Sequence, residues 1–253
     1  MSRMDSSSPP TGRTALVTGA AKRVGAAIVR GLHGEGFNVA IHYRYSAAEA
    51  ESLCDELNRA RPGSAIALRA DLLDARQCAP LVERTVERFG RLDVLVNNAS
   101  SFYATPVGTI TPEQWEDLIG SNLKAPLFMS QAAAPHLRQS AGLIINMVDI
   151  HGQRPLSRHP VYSSAKAGLA MLTRSLAREL SPQVRVNGIA PGPILWPESG
   201  LEPAVQEEIV SQTLLKRSGS PQDIVRTVLF FVKDAPYVTG QILAVDGGRS
   251  VGW

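Results

Sequence analysis

Two residues four apart, Tyr162 and Lys166, carry the most reactive chemistry in this chain. They open a stretch with apolar residues at Val161, Ala165, Leu169, Leu172 and Leu176, preceded by Pro160. That is the spacing of an amphipathic helix with a proline at its start. Four apart on a helix means one turn apart on the same face. A free tyrosine, with a pKa of about 10, is a poor acid or base at neutral pH. A neighbouring ammonium would stabilise the phenolate and lower that value, so the pair could hand a proton to a bound substrate. The same spacing also arises by chance, as a surface tyrosine packed on a lysine stem. The pair therefore gains its meaning from the motifs around it.

A second chemistry-bearing segment is Thr18-Gly19-Ala20-Ala21-Lys22-Arg23-Val24-Gly25, which ends an apolar run and opens a helical pattern. A glycine-bearing turn from strand to helix lets the backbone approach a pyrophosphate, and the helix N-terminus offers free N–H groups and positive potential. Two glycines alone are also compatible with a plain tight turn. Position strengthens the ligand reading, because this is the first such turn of the chain.

The elements that must position these residues are legible as alternating short β-rich runs and longer amphipathic stretches. Strands are expected at Thr14–Thr18, Asn38–Tyr43, Ala65–Ala70, Val94–Val96, Gly142–Met147, Arg185–Ile189 and Gln241–Val245. Continuous apolar runs such as Leu143-Ile144-Ile145 suit strands covered on both faces, as in a parallel sheet. Helices are expected at Gly25–Gly34, Ala47–Arg61, Ala75–Gly90, Pro112–Arg138, Val161–Leu180, Pro203–Leu214 and Pro221–Val232. This alternation predicts an α/β, Rossmann-type, doubly wound parallel sheet of about seven strands with helices on both faces. No composition break divides the chain, so residues 13–253 read as one domain after a Ser/Pro-rich, disordered tail over residues 1–12. The stretch Pro191–Pro203 reads as a long loop at the carboxyl edge of the sheet, where such folds bind ligands.

Composition narrows the function classes. The chain has 253 residues, a net charge of +3 and two cysteines, Cys54 and Cys78. No Lys/Arg cluster marks a nucleic-acid footprint, and no apolar run is long enough to span a bilayer. The cysteines match no metal spacing and are too few for a secreted disulfide scaffold. The N-terminus lacks the apolar core of a signal peptide. The expectation is a cytoplasmic protein with no metal, nucleic-acid or membrane partner.

Other motifs surround the tyrosine–lysine pair: Asn97-Asn98-Ala99-Ser100 after the fourth strand, Asn122 in Gly120-Ser121-Asn122, Pro191-Gly192 after the sixth strand, and Asp246-Gly247-Gly248 after the last. Together with the Thr-Gly-x-x-x-Gly-x-Gly-like first turn, in which Arg23 takes the place of the middle glycine, their order and spacing resemble the short-chain dehydrogenase/reductase family over roughly residues 13–250. The resemblance implies roles. Asn122 would hold a water in a proton relay with Lys166, Lys166 would also bind the nicotinamide ribose, and Asn98 would line the adenine-side ribose. Asp71 would contact adenine. Gly19, Arg23, Val24, His42, Tyr43, Leu72, Ala99, Ser100, Tyr162, Pro191 and Gly192 would complete the cofactor site. For Asn122 and Asp71 taken alone, a turn or capping role is the plainer reading.

NAD enzymes of this fold usually place an acid after the second strand to bind the ribose hydroxyls. This chain reads His42-Tyr43-Arg44-Tyr45-Ser46, with no acid until Glu49. Arg44 and Ser46 would hold the extra phosphate of NADP, so NADPH is the expected cofactor.

One departure from the family concerns the substrate. Thirteen positions before its tyrosine the family usually has a serine that donates to a carbonyl; here the residue is Asp149. An ionised aspartate only accepts. It suits a substrate with N–H donors to hold, or one whose nitrogen must be protonated. This departure resembles the pteridine reductase branch, as do Ala20-Ala21-Lys22-Arg23, His42-Tyr43, Ser46-Ala47-Ala48-Glu49-Ala50 and Asn97-Asn98-Ala99-Ser100-Ser101-Phe102-Tyr103. By that resemblance Phe102 would stack on a pterin, Ser100 would contact pterin or cofactor, and Arg23 would face the phosphates and the pterin oxygen. Asp149 and Tyr162 would bind the reacting edge, and Leu195 and Trp196 could cover the substrate side chain. The expected activity is NADPH-dependent reduction of the C=N bond of a dihydropterin or dihydrofolate. A carbonyl reductase acting on a 3-oxoacyl thioester is one alternative, and a non-catalytic NADPH-binding regulatory protein is another. The helical segments Pro112–Arg138 and Val161–Leu180 correspond to the family's usual subunit contacts, so a homotetramer is expected.

Overall fold

The computed structural model describes residues 12–196 and 200–252. The remainder of the expected tail, residues 1–11, lies outside the described residues, as do residues 197–199 of the expected long loop. Seven strands form one sheet: β1 (Thr14–Val17), β2 (Asn38–Tyr43), β3 (Ala65–Arg69), β4 (Val94–Asn97), β5 (Leu143–Met147), β6 (Arg185–Pro191) and β7 (Ile242–Val245). Their order is β3-β2-β1-β4-β5-β6-β7 and every pairing is parallel. All seven coincide with the runs expected from the sequence.

The buried alternation of each strand feeds two layers. Ala15 and Val17 of β1, with Leu143 and Ile145 of β5, point to one face. There they meet α1 (Arg23–Gly34), α2 (Ala47–Ala60) and α8 (Pro221–Lys233) through Ile28, Leu32, Leu53 and Phe231. Leu16 and Ile144 point to the other face, against α3 (Cys78–Phe89), α5 (Ala125–Ser140) and α6 (Pro160–Leu180), represented by Leu81, Met129 and Leu180. A strand whose successive side chains each find an apolar layer reads as a continuous apolar run. The chain reverses direction across the sheet at β1, whose two neighbours are β2 and β4. That switch point opens a crevice at the carboxyl ends of the strands.

The expected helix over Pro112–Arg138 is three pieces: α4 (Pro112–Ile119), a π turn (Gly120–Lys124) and α5. Within the π turn the side-chain amide of Asn122 donates to the Leu118 carbonyl at 3.0 Å, and Pro126 has no N–H to continue the regular ladder. Such π turns recur where a helix must aim a functional side chain. The expected helix Ala75–Gly90 begins as a short 3-10 turn (Ala75–Gln77), capped by Asp74, before α3. A shorter helix, α7 (Pro203–Ser211), follows the long loop. No helix among the described residues is long and apolar enough to cross a membrane.

Candidate active site

The turn between β1 and α1 is built by close approach. A Cβ on Gly25 would lie 2.4 Å from the Gly19 carbonyl oxygen and 2.7 Å from Nδ2 of Asn98, so only glycine lets the helix sit on the turn. Arg23 stands at the middle-glycine place of the turn motif with φ at +53°, a left-handed backbone that costs an arginine about 1 kcal/mol or more. Asn98 locks β4 to this turn: its Nδ2 donates to the carbonyls of Thr18 and Gly19, each at 2.9 Å. The backbone N–H groups of Asn98 and Ala99 both donate to Thr18 Oγ1.

His42, at the end of β2, joins three strand ends. Its Nδ1 accepts from the Gly19 N–H at 3.0 Å, and its Nε2 lies 3.2 Å from the Ala70 carbonyl. The first bond requires a bare Nδ1 and the second a protonated Nε2, which defines a neutral tautomer. Burial pushes the His42 pKa down to about 4.

A cavity of about 460 Å³ opens beside this turn. Gly19, Arg23, Val24, His42, Tyr43 and Arg44 line it, with Ser46, Asp71, Leu72, Asn98, Ala99 and Ser100 opposite. The structure therefore brings together all of the expected cofactor residues that lie before residue 101. Arg44 pairs with Asp71 at 2.9 Å and lies over the Tyr45 ring, and Lys22 pairs with Glu49 at 2.6 Å. Arg44 Nε is buried and has no acceptor among the described residues. Arg44 and Arg69 also share a smaller adjoining cavity of about 230 Å³. The guanidiniums of Arg44, just past β2, and Arg69, at the end of β3, fit an additional phosphate. The glycine turn and the first N–H groups of α1 fit a pyrophosphate. The residues present thus fit a phosphorylated dinucleotide.

Ser100 connects this cavity to the reacting centre by donating from Oγ to Oδ1 of Asn122 at 2.8 Å. The Asn122 amide also donates to the Ser101 carbonyl at 2.9 Å, so its side chain is committed to the β4 loop. Asp149 follows β5. Its Oδ1 accepts from the His151 N–H at 2.8 Å and its Oδ2 accepts from the Tyr162 hydroxyl at 2.7 Å. Tyr162 is buried at the start of α6. Lys166, one turn on, donates from Nζ to the Met147 carbonyl at 2.8 Å and lies 5.6 Å from the centre of the tyrosine ring.

The electrostatics correct one expectation. The lysine was expected to lower the tyrosine pKa, yet Tyr162 is raised well above its ordinary value, first by burial and then by the charge and hydrogen bond of Asp149. Burial also lowers Lys166 to about 8, against an opposing pull from Asp149. The phenol therefore keeps its proton at neutral pH and points it at a carboxylate.

Phe102 stands half exposed at the mouth of the site. Its ring meets Tyr162 edge-on, with centroids 4.8 Å apart, and stacks on His159 at 4.9 Å and 10° between planes. Pro191 ends β6 and Gly192 follows it, and a Cβ on Gly192 would lie 2.7 Å from Asp246 Cα. Arg23, expected to face phosphates and substrate, donates to the carbonyls of Trp196 at 2.8 Å and Leu195 at 3.4 Å. In this structure it ties the first turn to the long loop.

Sequence reasoning missed one side chain at the mouth of the site, His159. His159 caps no pattern of its own and precedes Tyr162 by three positions, the only clue that it belongs here. Among the described residues no cluster of His, Cys, Asp and Glu could hold a metal ion. Cys54 and Cys78 are free thiols.

A family model described as enoyl-(acyl carrier protein) reductase matches residues 19–250. Pteridine reductase 1 of Leishmania tarentolae is 38% identical, over 96% of this chain and 98% of that protein. A 3-oxoacyl-(acyl-carrier-protein) reductase of Staphylococcus aureus is 37% identical over 93% and 97% respectively. The enzyme of the same name from Staphylococcus epidermidis is 35% identical over 93% and 98%.

Proposed function

We propose that this chain, which belongs to the short-chain dehydrogenase/reductase family, is an NADPH-dependent pteridine reductase acting on the C=N bond of a dihydropterin or dihydrofolate ring. The observation that carries the substrate is the 2.7 Å bond from the Tyr162 hydroxyl to Asp149. A carbonyl oxygen needs donors, and an ionised Asp149 offers it only acceptors. A flat heterocycle with N–H groups beside a reducible C=N bond matches a carboxylate next to a protonated phenol.

NADPH, when bound, supplies the hydride. Arg44 and Ser46 would hold its extra phosphate, and the Gly19–Gly25 turn its pyrophosphate. Asp149 accepts from the ring N–H groups and orients the ring. Tyr162 holds the proton that the reduced nitrogen must take up, and its raised pKa keeps that proton in place until a strong base develops beside it. Lys166, anchored on the Met147 carbonyl, places a cation beside the phenol as the proton departs. Phe102 offers an aromatic face to the ring, worth about 1 kcal/mol beyond burial. Exposed Leu127 on α5 and Met171 on α6 support a homotetramer built through these helices.

The relatives include both pteridine and 3-oxoacyl reductases at nearly equal identity, so the rival substrate is a 3-oxoacyl thioester. The deciding experiment follows NADPH oxidation with a dihydropterin, dihydrofolate and an acetoacetyl thioester side by side. Turnover of the pterin or folate is expected; turnover of the thioester alone would overturn the reading.

A further inference from the structure

The two loops at the mouth of the site are fastened to one another. One follows β4 and carries Phe102; the other precedes α6 and carries His159. Thr105 of the first loop is buried and donates its N–H to the Arg158 carbonyl of the second at 2.7 Å. Beside this bond the Phe102 and His159 rings lie nearly parallel, with centroids 4.9 Å apart and 10° between planes. Arg158 reaches its place with φ at +65°, a left-handed backbone that is unfavourable for a residue with a Cβ. Such strain persists where the surrounding structure imposes it, and it gathers at functional sites.

Each partner of the stack is anchored separately. On one side of Phe102 the Ser101 N–H donates to Ser121 Oγ at 3.3 Å and the Ser101 carbonyl accepts from the Asn122 amide at 2.9 Å. On the other side the Tyr103 hydroxyl donates to the Asp117 carboxylate at 3.1 Å. The backbone around Phe102 is thus held, and its ring is the part left to be fixed. His159 stands immediately before α6. Its N–H donates to the Leu156 carbonyl at 3.1 Å and its carbonyl accepts from the Ser163 N–H at 3.0 Å. Its Nδ1 lies 2.8 Å from the Ser157 carbonyl, which places the proton on Nδ1, because a carbonyl only accepts. Backbone and ring nitrogen are both committed, so the imidazole plane is set by its own loop.

We propose that His159 is a positioning residue, which holds the Phe102 ring against its own imidazole and so presents the exposed half of that ring to a flat heterocyclic substrate beside Tyr162. The Phe102 ring touches Tyr162 edge-on at 4.8 Å, so a ring held there stands next to the proton donor. An aromatic wall fixed before the substrate arrives spares the cost of ordering it on binding. A flexible acyl chain has no aromatic face to stack and gains little from such a wall, so the arrangement favours a planar ring.

This inference rests on the pteridine reductase reading of the same site, and its test separates the two. His159→Ala, His159→Leu and His159→Phe are compared with the unaltered protein by steady-state kinetics, with NADPH binding followed by fluorescence. His159→Ala and His159→Leu should raise KM for a dihydropterin by roughly three- to tenfold, the value of one aromatic contact, with kcat changing less. His159→Phe can still stack and should keep KM near that of the unaltered protein. NADPH affinity should be unchanged in all three, because neither ring lines the cofactor cavity. Added to Phe102→Ala, His159→Ala should raise KM little further, because the imidazole acts through the phenyl ring. A lower KM in His159→Ala would mean that the imidazole occupies the place of the substrate, and would overturn the proposal. Equal KM values in His159→Leu and His159→Phe would reduce His159 to a filler of space, and additive effects of the two alanines would mean that it does not act through Phe102; either result overturns it. These outcomes leave the pteridine reductase reading intact. Turnover of the thioester alone by the unaltered protein removes that reading and this inference with it.

Discussion

The Tyr162 hydroxyl, at the start of α6, and the Asp149 carboxylate, just past β5, meet at 2.7 Å. The bond sets the direction of proton flow. Burial and the adjacent negative charge both disfavour the phenolate, so Tyr162 stays protonated. Replacing Asp149 by serine removes the charge and supplies a donor. The Asp149→Ser variant should show a lower tyrosine pKa in a difference-absorbance titration. Its kcat/KM for a dihydropterin should fall by about tenfold or more, on the scale of a lost charged hydrogen bond. Pterin turnover equal to that of the unaltered protein would remove Asp149 from the discriminating role.

Lys166 should make the activity fall as pH rises. Its ammonium, pushed down to about 8 by burial, loses its proton through that pH, and the cation beside the phenol goes with it. The effect on stability has the opposite sign. Between about pH 8 and the ordinary lysine value the unfolded chain binds more protons than the folded one, so this residue favours folding increasingly as pH rises. Parallel measurement of kcat and of Tm from pH 7 to 9.5 should therefore show activity declining ahead of any unfolding.

His42 should make the protein acid-sensitive. Its folded pKa, about 4, lies below the ordinary value, so the unfolded chain binds the extra proton between about pH 4 and 6.5. Stability is fully present above that window and is lost as pH falls through it, by on the order of 3 kcal/mol. His42→Gln keeps an acceptor and a donor but cannot titrate. Its Tm should change less between pH 6.5 and 4 than that of the unaltered protein, and an equal loss in both would assign the acid sensitivity elsewhere.

Arg44 should set cofactor choice. Removing its guanidinium in Arg44→Ala leaves Asp71 unpaired and takes away the idle donor. The ratio of kcat/KM with NADPH to that with NADH should drop by about tenfold or more, as for a lost charge-assisted bond. A ratio that stays constant would mean that the extra phosphate is held by other groups.

Phe102 should act on substrate binding more than on chemistry. Phe102→Ala removes the half-exposed face that meets Tyr162 and His159. KM for a dihydropterin should rise by roughly two- to tenfold, the value of one aromatic contact, with kcat changing less. A fall in kcat at constant KM would instead make Phe102 a prop for Tyr162.

By itself the sequence determined the seven parallel strands, because each buried strand repeats its apolar signal locally and needs no knowledge of its neighbours. It also determined the glycine turn after β1 and the residue types at positions 149, 162 and 166, since each motif is written in consecutive or fixed-offset residues. Only the tertiary structure decided what those residues do to one another. The direction of the Tyr162 shift depends on how fully β5 and α6 desolvate the phenol, a sum over groups far apart in the chain. The break of Pro112–Arg138 at the π turn came from the Asn122 amide taking a backbone acceptor, which apolar periodicity does not register. The Phe102–His159 stack and the Arg23 bonds to the Leu195 and Trp196 carbonyls both join segments that become neighbours only when the sheet is assembled. Local patterns encode elements, whereas charge, burial and the aim of a side chain are properties of the assembled edge.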